Sequence, residues 1–309
     1  MMSIGDQPWE KCINIKLKVL LILVLFLSIS LVGCAKKEII VPPVTPVPTM
    51  QKHIGKFVWY DLITHDLQSA VRFYEDLFGW TFVNTSPDDN SVKTILRQGI
   101  PIGNAAQVEP SNKEINESRW IGYMSVDDVD LAAALVGLNE GSIYTKPKDL
   151  PHRGRIAIAL DQQGAVFALV DAENGDPPDL EVKQANNWIG SELWTKDLHG
   201  SFIFYTLLAG YELEVVDMGA DQKYHLLKKD GKARAGMAQI LWDDVKPNWI
   251  PYVAVDDAMA ILQKTEKYGS QVLIHPSVEN QENPVAIIAD PSGAVFGIQQ
   301  MSDSAKTGE

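Results

Sequence analysis

Six histidines and two cysteines are the side chains of this 309-residue chain whose chemistry is most often catalytic or metal-binding. No two histidines are spaced by two or four residues, the spacings that place two imidazoles on one face of a strand or a helix. The sequence also lacks a Walker loop, a Gly-x-Ser-x-Gly elbow and a dinucleotide-binding glycine fingerprint. Any functional site must therefore be assembled from residues that are distant in sequence.

Cys34 ends a segment that is typical of bacterial export signals. Three lysines precede an uncharged run from 19 to 33, which is shorter than the ~20 residues of a membrane span but suits a signal peptide. The run ends Leu-Val-Gly-Cys, which resembles the bacterial lipobox. We therefore predict a lipoprotein signal peptide over residues 1–33, lipidation of Cys34 and a place in the cell envelope. The outer membrane is favoured in a Gram-negative cell because Ala35 is not acidic. The alternative is an uncleaved anchor helix.

Residues 34–54 predict an extended tether between this signal and the folded part. Pro42, Pro43, Pro46 and Pro48 disfavour a helix and favour polyproline II conformation, which at ~3.1 Å per residue would reach roughly 60 Å. Ordinary disorder is the alternative, and either state would hold the folded part away from a bilayer.

The acidic composition limits the partners of the chain. The formal net charge of −13 at pH 7 repels nucleic-acid phosphates and anionic lipid surfaces. We expect no nucleic-acid partner, and membrane contact through the lipid anchor alone.

Three sequence landmarks occur twice in the same order, about 130 residues apart. Their first and second copies occupy residues 73–80 and 204–211, 120–123 and 249–252, and 164–167 and 293–296. A period of this length has the size of a whole domain rather than of a solenoid repeat. We predict two homologous domains at residues 55–173 and 187–301, a linker at 174–186 and a tail at 302–309.

Each domain divides into two units of one strand, one helix and three strands. Residues 57–63 are aromatic and β-branched, which predicts a strand. Asp66 is placed to cap the following helix, and Gly79 is placed to end it. The same order starts again near Trp120, Trp188 and Trp249. This pattern predicts an α+β fold with four βαβββ modules, forming two tandem curled mixed β-sheet domains.

These residues resemble the vicinal oxygen chelate superfamily, which includes glyoxalases, bleomycin-resistance proteins and extradiol dioxygenases. The resemblance rests on the helix ending Phe-Tyr-x-x-Leu-Phe-Gly-Trp and on the closing Asp-x-x-Gly-Ala-x-Phe, and it covers about residues 55–300. The fold it implies hosts lyases, isomerases, dioxygenases and sequestering proteins, so the function stays open. Because the two modules that form each domain lie in the same chain, we expect a monomer, with a homodimer as the alternative.

Metal-dependent members of this family carry His or Glu on the inner face of the curled sheet. The equivalent positions hold Trp59, Ile121 and Ala168 in the first domain, and Gly190, Ile250 and Gly297 in the second. The fourth-strand position lies near Gln107 in the first domain and near Gln239 in the second. The aliphatic residues, the indole and the glycines offer no strong ligand atom. We therefore predict neither a cofactor nor a metal site. A divalent metal would be needed only if the ligand positions have been misaligned.

Polar residues share the face of these positions. Because strand residues alternate sides, Asp61 lies with Trp59, and Glu192 occupies the equivalent place in the second domain. Tyr123 and Tyr252 are likewise equivalent. These residues are candidates for a small-molecule site, although the carboxylates could equally serve only to fix the sheet. The full candidate set is Trp59, Asp61, Gln107, Tyr123, Arg153, Glu192 and Tyr252.

Arg153 favours the first domain, since it lies in a loop where it could receive an anionic ligand. Residues 280–283 replace that loop in the second domain. The favoured function is metal-independent binding of a small organic molecule. The alternatives are a metal-dependent lyase, isomerase or dioxygenase of the same superfamily, and an envelope scaffold that binds another protein.

Overall fold

The computed structural model describes residues 41–87, 89–109, 118–180, 183–219, 222–276 and 284–302. In these ranges the chain is α+β and forms two eight-stranded mixed sheets, each built from two βαβββ modules. The predicted fold class is confirmed.

The first two modules form the first sheet and the last two form the second. The first module comprises β1 (Phe57–Thr64), α1 (Leu67–Phe78), β2 (Thr81–Ser86), β3 (Asp89–Arg97) and β4 (Ile100–Gln107). The second comprises β5 (Arg119–Ser125), α2 (Val129–Leu138), β6 (Ser142–Leu150), β7 (Gly154–Leu160) and β8 (Val166–Ala172). The third comprises β9 (Trp188–Thr195), α3 (Leu198–Ala209), β10 (Glu212–Gly219), β11 (Gln222–Lys229) and β12 (Lys232–Gln239). The fourth comprises β13 (Asn248–Val255), α4 (Ala258–Thr265), a 3-10 turn (Glu266–Tyr268), β14 (Gln271–Ile274), β15 (Val285–Ala289) and β16 (Val295–Gln300).

The first strand of every module lies at the centre of its sheet. The strand orders are β2-β3-β4-β1-β5-β8-β7-β6 and β10-β11-β12-β9-β13-β16-β15-β14. β1 is antiparallel to β5 and parallel to β4, and β9 relates to β13 and β12 in the same way. In matching registers, Asp61 lies opposite Ile121 and Glu192 lies opposite Ile250. Residues on these four strands therefore occupy the middle of each sheet.

Aspartate caps fix the start of each α-helix. Asp66, Asp128, Asp197 and Asp257 each accept a hydrogen bond from the backbone N–H three residues later. Each carboxylate thereby satisfies one of the free amides of the first turn. The predicted cap at Asp66 is confirmed.

One hydrophobic core, here called the shared core, contains side chains from both domains. Helix α1 packs beside α4, and α2 packs beside α3. At its centre the hydroxyls of Tyr60 and Ser191 lie 3.1 Å apart. These two residues occupy equivalent positions in the repeat, so their contact marks a pseudo-twofold axis between the domains.

Two reciprocal hydrogen-bonded clusters cross the shared core. Tyr74 on α1 donates to Asp290 Oδ2 of the second domain at 3.1 Å and accepts from Trp120 Nε1 at 2.9 Å. The equivalent Tyr205 on α3 donates to Asp161 of the first domain at 3.0 Å and accepts from the Trp249 indole at 2.7 Å. The tyrosines belong to the first repeated landmark, the tryptophans belong to the second, and the aspartates lie three residues before the third.

Each buried aspartate also shapes the turn that contains it. Asp161 Oδ1 accepts from the backbone amides of Gln163 and Ala165, and Asp290 Oδ1 accepts from those of Ser292 and Ala294. The Asp-x-x-Gly-Ala repeat is therefore a side-chain-closed turn that presents its second carboxylate oxygen to the other domain. Burial raises the pKa of both carboxyls.

Part of the segment expected to be a tether is packed against the first domain. The Thr49 and Met50 amides donate to Asn174 O at 2.9 and 3.2 Å. Buried Asp176 accepts from the His53 amide and the Ser125 hydroxyl, each at 2.6 Å. The proline content predicted an extended backbone but gave no sign of these contacts with the beginning of the linker.

No helix in the described ranges combines the length and the apolar character needed to cross a bilayer. The predicted signal peptide, its cleavage point and Cys34 lie outside the described residues.

Tyr74→Phe and Tyr205→Phe should each lower the free energy of unfolding by about 1–3 kcal/mol. Each change removes one hydroxyl, so a buried carboxylate loses the hydrogen bond to its second oxygen and an indole N–H loses its acceptor. Urea unfolding monitored by circular dichroism measures the change, and Tyr144→Phe, at an exposed tyrosine, is the control. Since the clusters couple the domains, the variants should still unfold in one transition. Two separate transitions in the wild-type protein would contradict this coupling.

Candidate ligand-binding site

The sheet face opposite the shared core is called the cavity face. On the first cavity face the Asp61 carboxylate accepts three hydrogen bonds. Trp59 Nε1 donates to Oδ1 at 2.8 Å, Asn104 Nδ2 donates to the same oxygen at 3.1 Å, and the Tyr123 hydroxyl donates to Oδ2 at 2.6 Å. The structure brings Trp59, Asp61 and Tyr123 together, as the alternation of strand residues predicted. Asn104, on β4, was not foreseen.

On the second cavity face Glu192 occupies the place of Asp61. Trp194 Nε1 donates to Glu192 Oε1 at 2.7 Å, and the Tyr252 hydroxyl donates to the same oxygen at 3.1 Å. The Tyr224 hydroxyl, from β11, supplies a third hydrogen bond. Both domains therefore hold one carboxylate among three neutral donors. The donors are an indole, a phenol and an amide in the first domain, and an indole and two phenols in the second.

Two glycines make room for the phenols of the second cavity face. A Cβ atom on Gly236 would lie 1.7 Å from the Tyr224 hydroxyl, and one on Gly297 would lie 2.4 Å from the Tyr252 ring. Neither position tolerates a side chain without displacement of a tyrosine. The glycine at position 297, which stands where the family carries a metal ligand, thus serves the placement of Tyr252.

The indole that contacts the carboxylate comes from a different strand position in each domain. Trp59 lies two residues before Asp61, and its equivalent in the second domain is Gly190. Trp194 lies two residues after Glu192, and its equivalent in the first domain is Ile63. Gly190 has a φ of 138°, and a Cβ atom there would meet no described atom within 4 Å. The second cavity face therefore has open space where Trp59 stands in the first.

The chain itself covers the first cavity face. Arg153, only 1% exposed, places its guanidinium carbon 3.8 Å from the centre of the Trp59 ring and 5.8 Å from that of Tyr123. Its Nε donates to Pro42 O at 2.9 Å. Val44, 5% exposed, joins the hydrophobic cluster that contains Trp59 and Tyr123. Arg153 thus lies inside the site rather than at its mouth, and it holds the chain's own residues there.

The aromatic side chains of the second cavity face keep contact with solvent. Trp194, Tyr224, Tyr252 and Glu192 are each partly exposed. Trp242, which is 50% exposed, stacks on Trp194 with ring centres 6.4 Å apart and planes at 29°. The equivalents of Arg153 in this domain, within residues 277–283, lie outside the described residues.

Burial raises the pKa of Glu192, against the effect of the three hydrogen bonds that it accepts. Burial, followed by the nearby Glu192 charge, raises the pKa of Tyr252 and of Tyr224. Both phenols therefore stay protonated at neutral pH and act as donors.

The family's metal positions hold no ligand set in either domain. Trp59, Ile121 and Ala168 meet on the first cavity face, and the second domain has glycine, isoleucine and glycine in these places. Across the described parts of the chain, no group of three or more His, Cys, Asp or Glu side chains could hold a metal ion. The side chains present on these faces therefore do not fit the metal ion of the family's enzymes.

Gln107 does not join the cluster. It is exposed at the end of β4 and lies two residues after Ala105, which is in the shared core. Residues two apart on a strand share a face, so Gln107 projects from the face opposite Asp61. The register pairs Asp61 with Asn104 instead. The sequence did contain a signal for Asn104. Asn104 lies three residues before Gln107, and residues an odd number apart on a strand project from opposite faces. Trp194, Tyr224 and Trp242 were also missed, since their first-domain equivalents are not polar partners of Asp61.

The comparisons with known proteins agree with this fold. Residues 53–176 match the Glyoxalase/Bleomycin resistance protein/Dioxygenase superfamily. The Mycobacterium bovis protein named "Putative glyoxylase CFP32" is 29% identical over 242 residues, covering 78% of this chain and 92% of that protein. The anthracycline biosynthesis protein DnrV of Streptomyces peucetius is 26% identical over 267 residues, covering 81% and 94%.

Solved structures with low sequence identity share the two-domain architecture. The Mn(II)-bound glyoxalase of Novosphingobium aromaticivorans superposes with a TM-score of 0.55 at 17% identity, covering 80% of this chain and 82% of that one. The 2,2',3-trihydroxybiphenyl 1,2-dioxygenase of Sphingomonas wittichii also gives 0.55, at 12% identity, covering 81% and 91%. These structures have the same fold as this chain, and residues 53–176 match the family that contains glyoxalases, bleomycin-resistance proteins and dioxygenases.

Arg153→Met should release the segment that covers the first cavity face. Methionine keeps much of the buried volume but removes the hydrogen bond to Pro42 O and the cation–π contact. Hydrogen exchange followed by mass spectrometry should show roughly tenfold faster exchange at Thr49 and Met50. Arg155→Met, which removes an ion pair with Asp130 at the surface, is the control. Equal exchange in both variants would mean that Arg153 does not hold the segment.

Proposed function

We propose that the protein binds a small organic molecule on its second cavity face without using a metal ion. The observation that carries this proposal is the contrast between the two faces. Arg153 and Val44 fill the first, whereas Glu192 and its aromatic neighbours on the second stay partly exposed beside the open space over Gly190. The sequence favoured the first domain because of Arg153, and the buried position of that arginine moves the proposal to the second.

The second cavity face suits recognition of an aromatic ligand. Trp194 and Trp242 supply flat apolar surface, and the hydroxyls of Tyr224 and Tyr252 fix the carboxylate in one orientation. Pockets of this kind combine aromatic walls with a few convergent polar groups. The name of the Streptomyces relative, an anthracycline biosynthesis protein, is consistent with a flat aromatic ligand.

A proton-transfer enzyme is the second candidate, and one observation favours it. Burial raises the pKa of Glu192, which brings a carboxyl closer to the range in which it exchanges protons at neutral pH. The relative named as a glyoxylase is compatible with such an activity. We favour binding because Glu192 already accepts hydrogen bonds from three side chains.

We further propose that the protein is anchored in the bacterial envelope by a lipid on Cys34. The support is the uncharged run over residues 19–33 and the Leu-Val-Gly-Cys sequence that follows Ser30. The binding face would then be presented to the space outside the cytoplasm.

Aromatic small molecules should bind in the presence of EDTA, and Tyr252→Phe should weaken their binding about fivefold. Loss of one hydrogen bond to the Glu192 carboxylate costs about 1 kcal/mol of preorganisation. Titration calorimetry measures the affinity. Tyr123→Phe is the matched variant in the first domain and should leave the affinity unchanged. Loss of binding in EDTA, or a stoichiometric metal in elemental analysis, would refute the metal-free proposal.

Cells fed an alkyne-tagged fatty acid should label the wild-type protein, and Cys34→Ser should abolish the label. Serine cannot form the thioether of a lipoprotein. Detection of the tag after gel separation, with membrane fractionation, measures the outcome. Cys12→Ser is the control and should be labelled normally. A labelled Cys34→Ser protein would place the anchor elsewhere.

A further inference from the structure

The first domain carries its own cation in the aromatic site. The Arg153 guanidinium lies over the Trp59 ring and near Tyr123, and the charge of Asp61 acts on it. An aromatic face attracts a cation through its quadrupole, and the attraction grows when both are removed from water. The first cavity face therefore shows which chemical group this arrangement of carboxylate, indole and phenol accommodates.

The second domain repeats the arrangement, but its described residues place no cationic side chain against Glu192 as Arg153 is placed in the first. Glu192 and Tyr252 are the equivalents of Asp61 and Tyr123, and the indole of Trp194 replaces that of Trp59. The groups that hydrogen-bond to Glu192 are an indole and two phenols, and no cationic side chain of the described residues is among them. The negative charge of this carboxylate thus lacks the counterpart that Arg153 gives to Asp61.

Space for a ligand lies beside this uncompensated carboxylate. Gly190, two residues from Glu192 on the same strand face, has no side chain where the first domain has Trp59, and no described atom lies within 4 Å of the position that a Cβ atom would take. Trp194, Tyr224 and Tyr252 hydrogen-bond to Glu192, and Trp242 stacks on Trp194, so aromatic side chains lie around this carboxylate. A carboxylate among four aromatic side chains is the arrangement that binds ammonium groups.

We propose that the ligand of the second cavity face is an organic cation, an amine or quaternary ammonium carried on a flat apolar group, that takes the place held by Arg153 and Trp59 in the first domain. This inference rests on the proposed binding function and specifies its ligand class. The first domain is then an internally liganded copy of the site, and the second is the copy open to exchange.

A pair of probes that differ only in charge tests the inference. The full-length protein in mild detergent is titrated with 4-(trimethylammonio)phenol and with 4-tert-butylphenol, which have nearly the same shape. Binding of the cationic probe should be roughly tenfold tighter, because only it gains the cation–π and carboxylate interactions.

Glu192→Gln removes the charge while keeping the side-chain length. In this variant the two probes should bind with about equal affinity. Glu266→Gln, which removes the same charge at an exposed position of the same domain, should keep the tenfold preference. Circular dichroism establishes that each variant is folded, and the wild-type preference by itself decides the matter if Glu192→Gln does not fold.

The possible failures are distinguishable. Equal binding of both probes to the wild-type protein, weakened by Tyr252→Phe, would overturn the cation inference and leave the proposed binding function standing. Binding of neither probe would overturn the inference and count against the aromatic site itself. A preference that survives Glu192→Gln but not Tyr123→Phe would place the cation on the first cavity face and refute the assignment.

Discussion

The structure depends on two tyrosine–aspartate hydrogen bonds that cross between the domains. Tyr74 binds Asp290, and Tyr205 binds Asp161, each with an indole donating to the tyrosine hydroxyl. Each bond joins a helix of one domain to the turn before the last strand of the other. Because that last strand pairs with the central strands, the same contact sets the position of both cavity faces. The repeated landmarks of the sequence contain or adjoin the residues that make these hydrogen bonds.

The two cavity faces show how duplicated sites diverge while keeping their geometry. The carboxylate and the phenol stay in register, whereas the indole has moved across the carboxylate, from position 59 to the equivalent of position 63. In the first domain Arg153 and Val44 cover the cavity face, and the side chains of this face are packed inside the protein. Both faces keep a carboxylate that accepts hydrogen bonds from an indole and a phenol.

Local rules predicted most of the fold, and long-range contacts account for what they missed. Strand alternation placed Asp61 with Trp59, and capping chemistry placed Asp66 at the start of α1. Gln107 was named because the sequence did not fix the register of β4 against β1, and the structure pairs Asp61 with Asn104, three residues earlier on the strand. The burial of Arg153 was also unpredictable, since it depends on Pro42, which lies 111 residues away in the chain.

The docking of residues 41–50 joins the segment before the first strand to the start of the linker. Thr49 and Met50 bind Asn174 O, and Pro42 O binds Arg153, so one surface of the first domain holds both segments. A change that displaced Arg153 from the first cavity face would therefore also free the chain where the linker to the second domain begins.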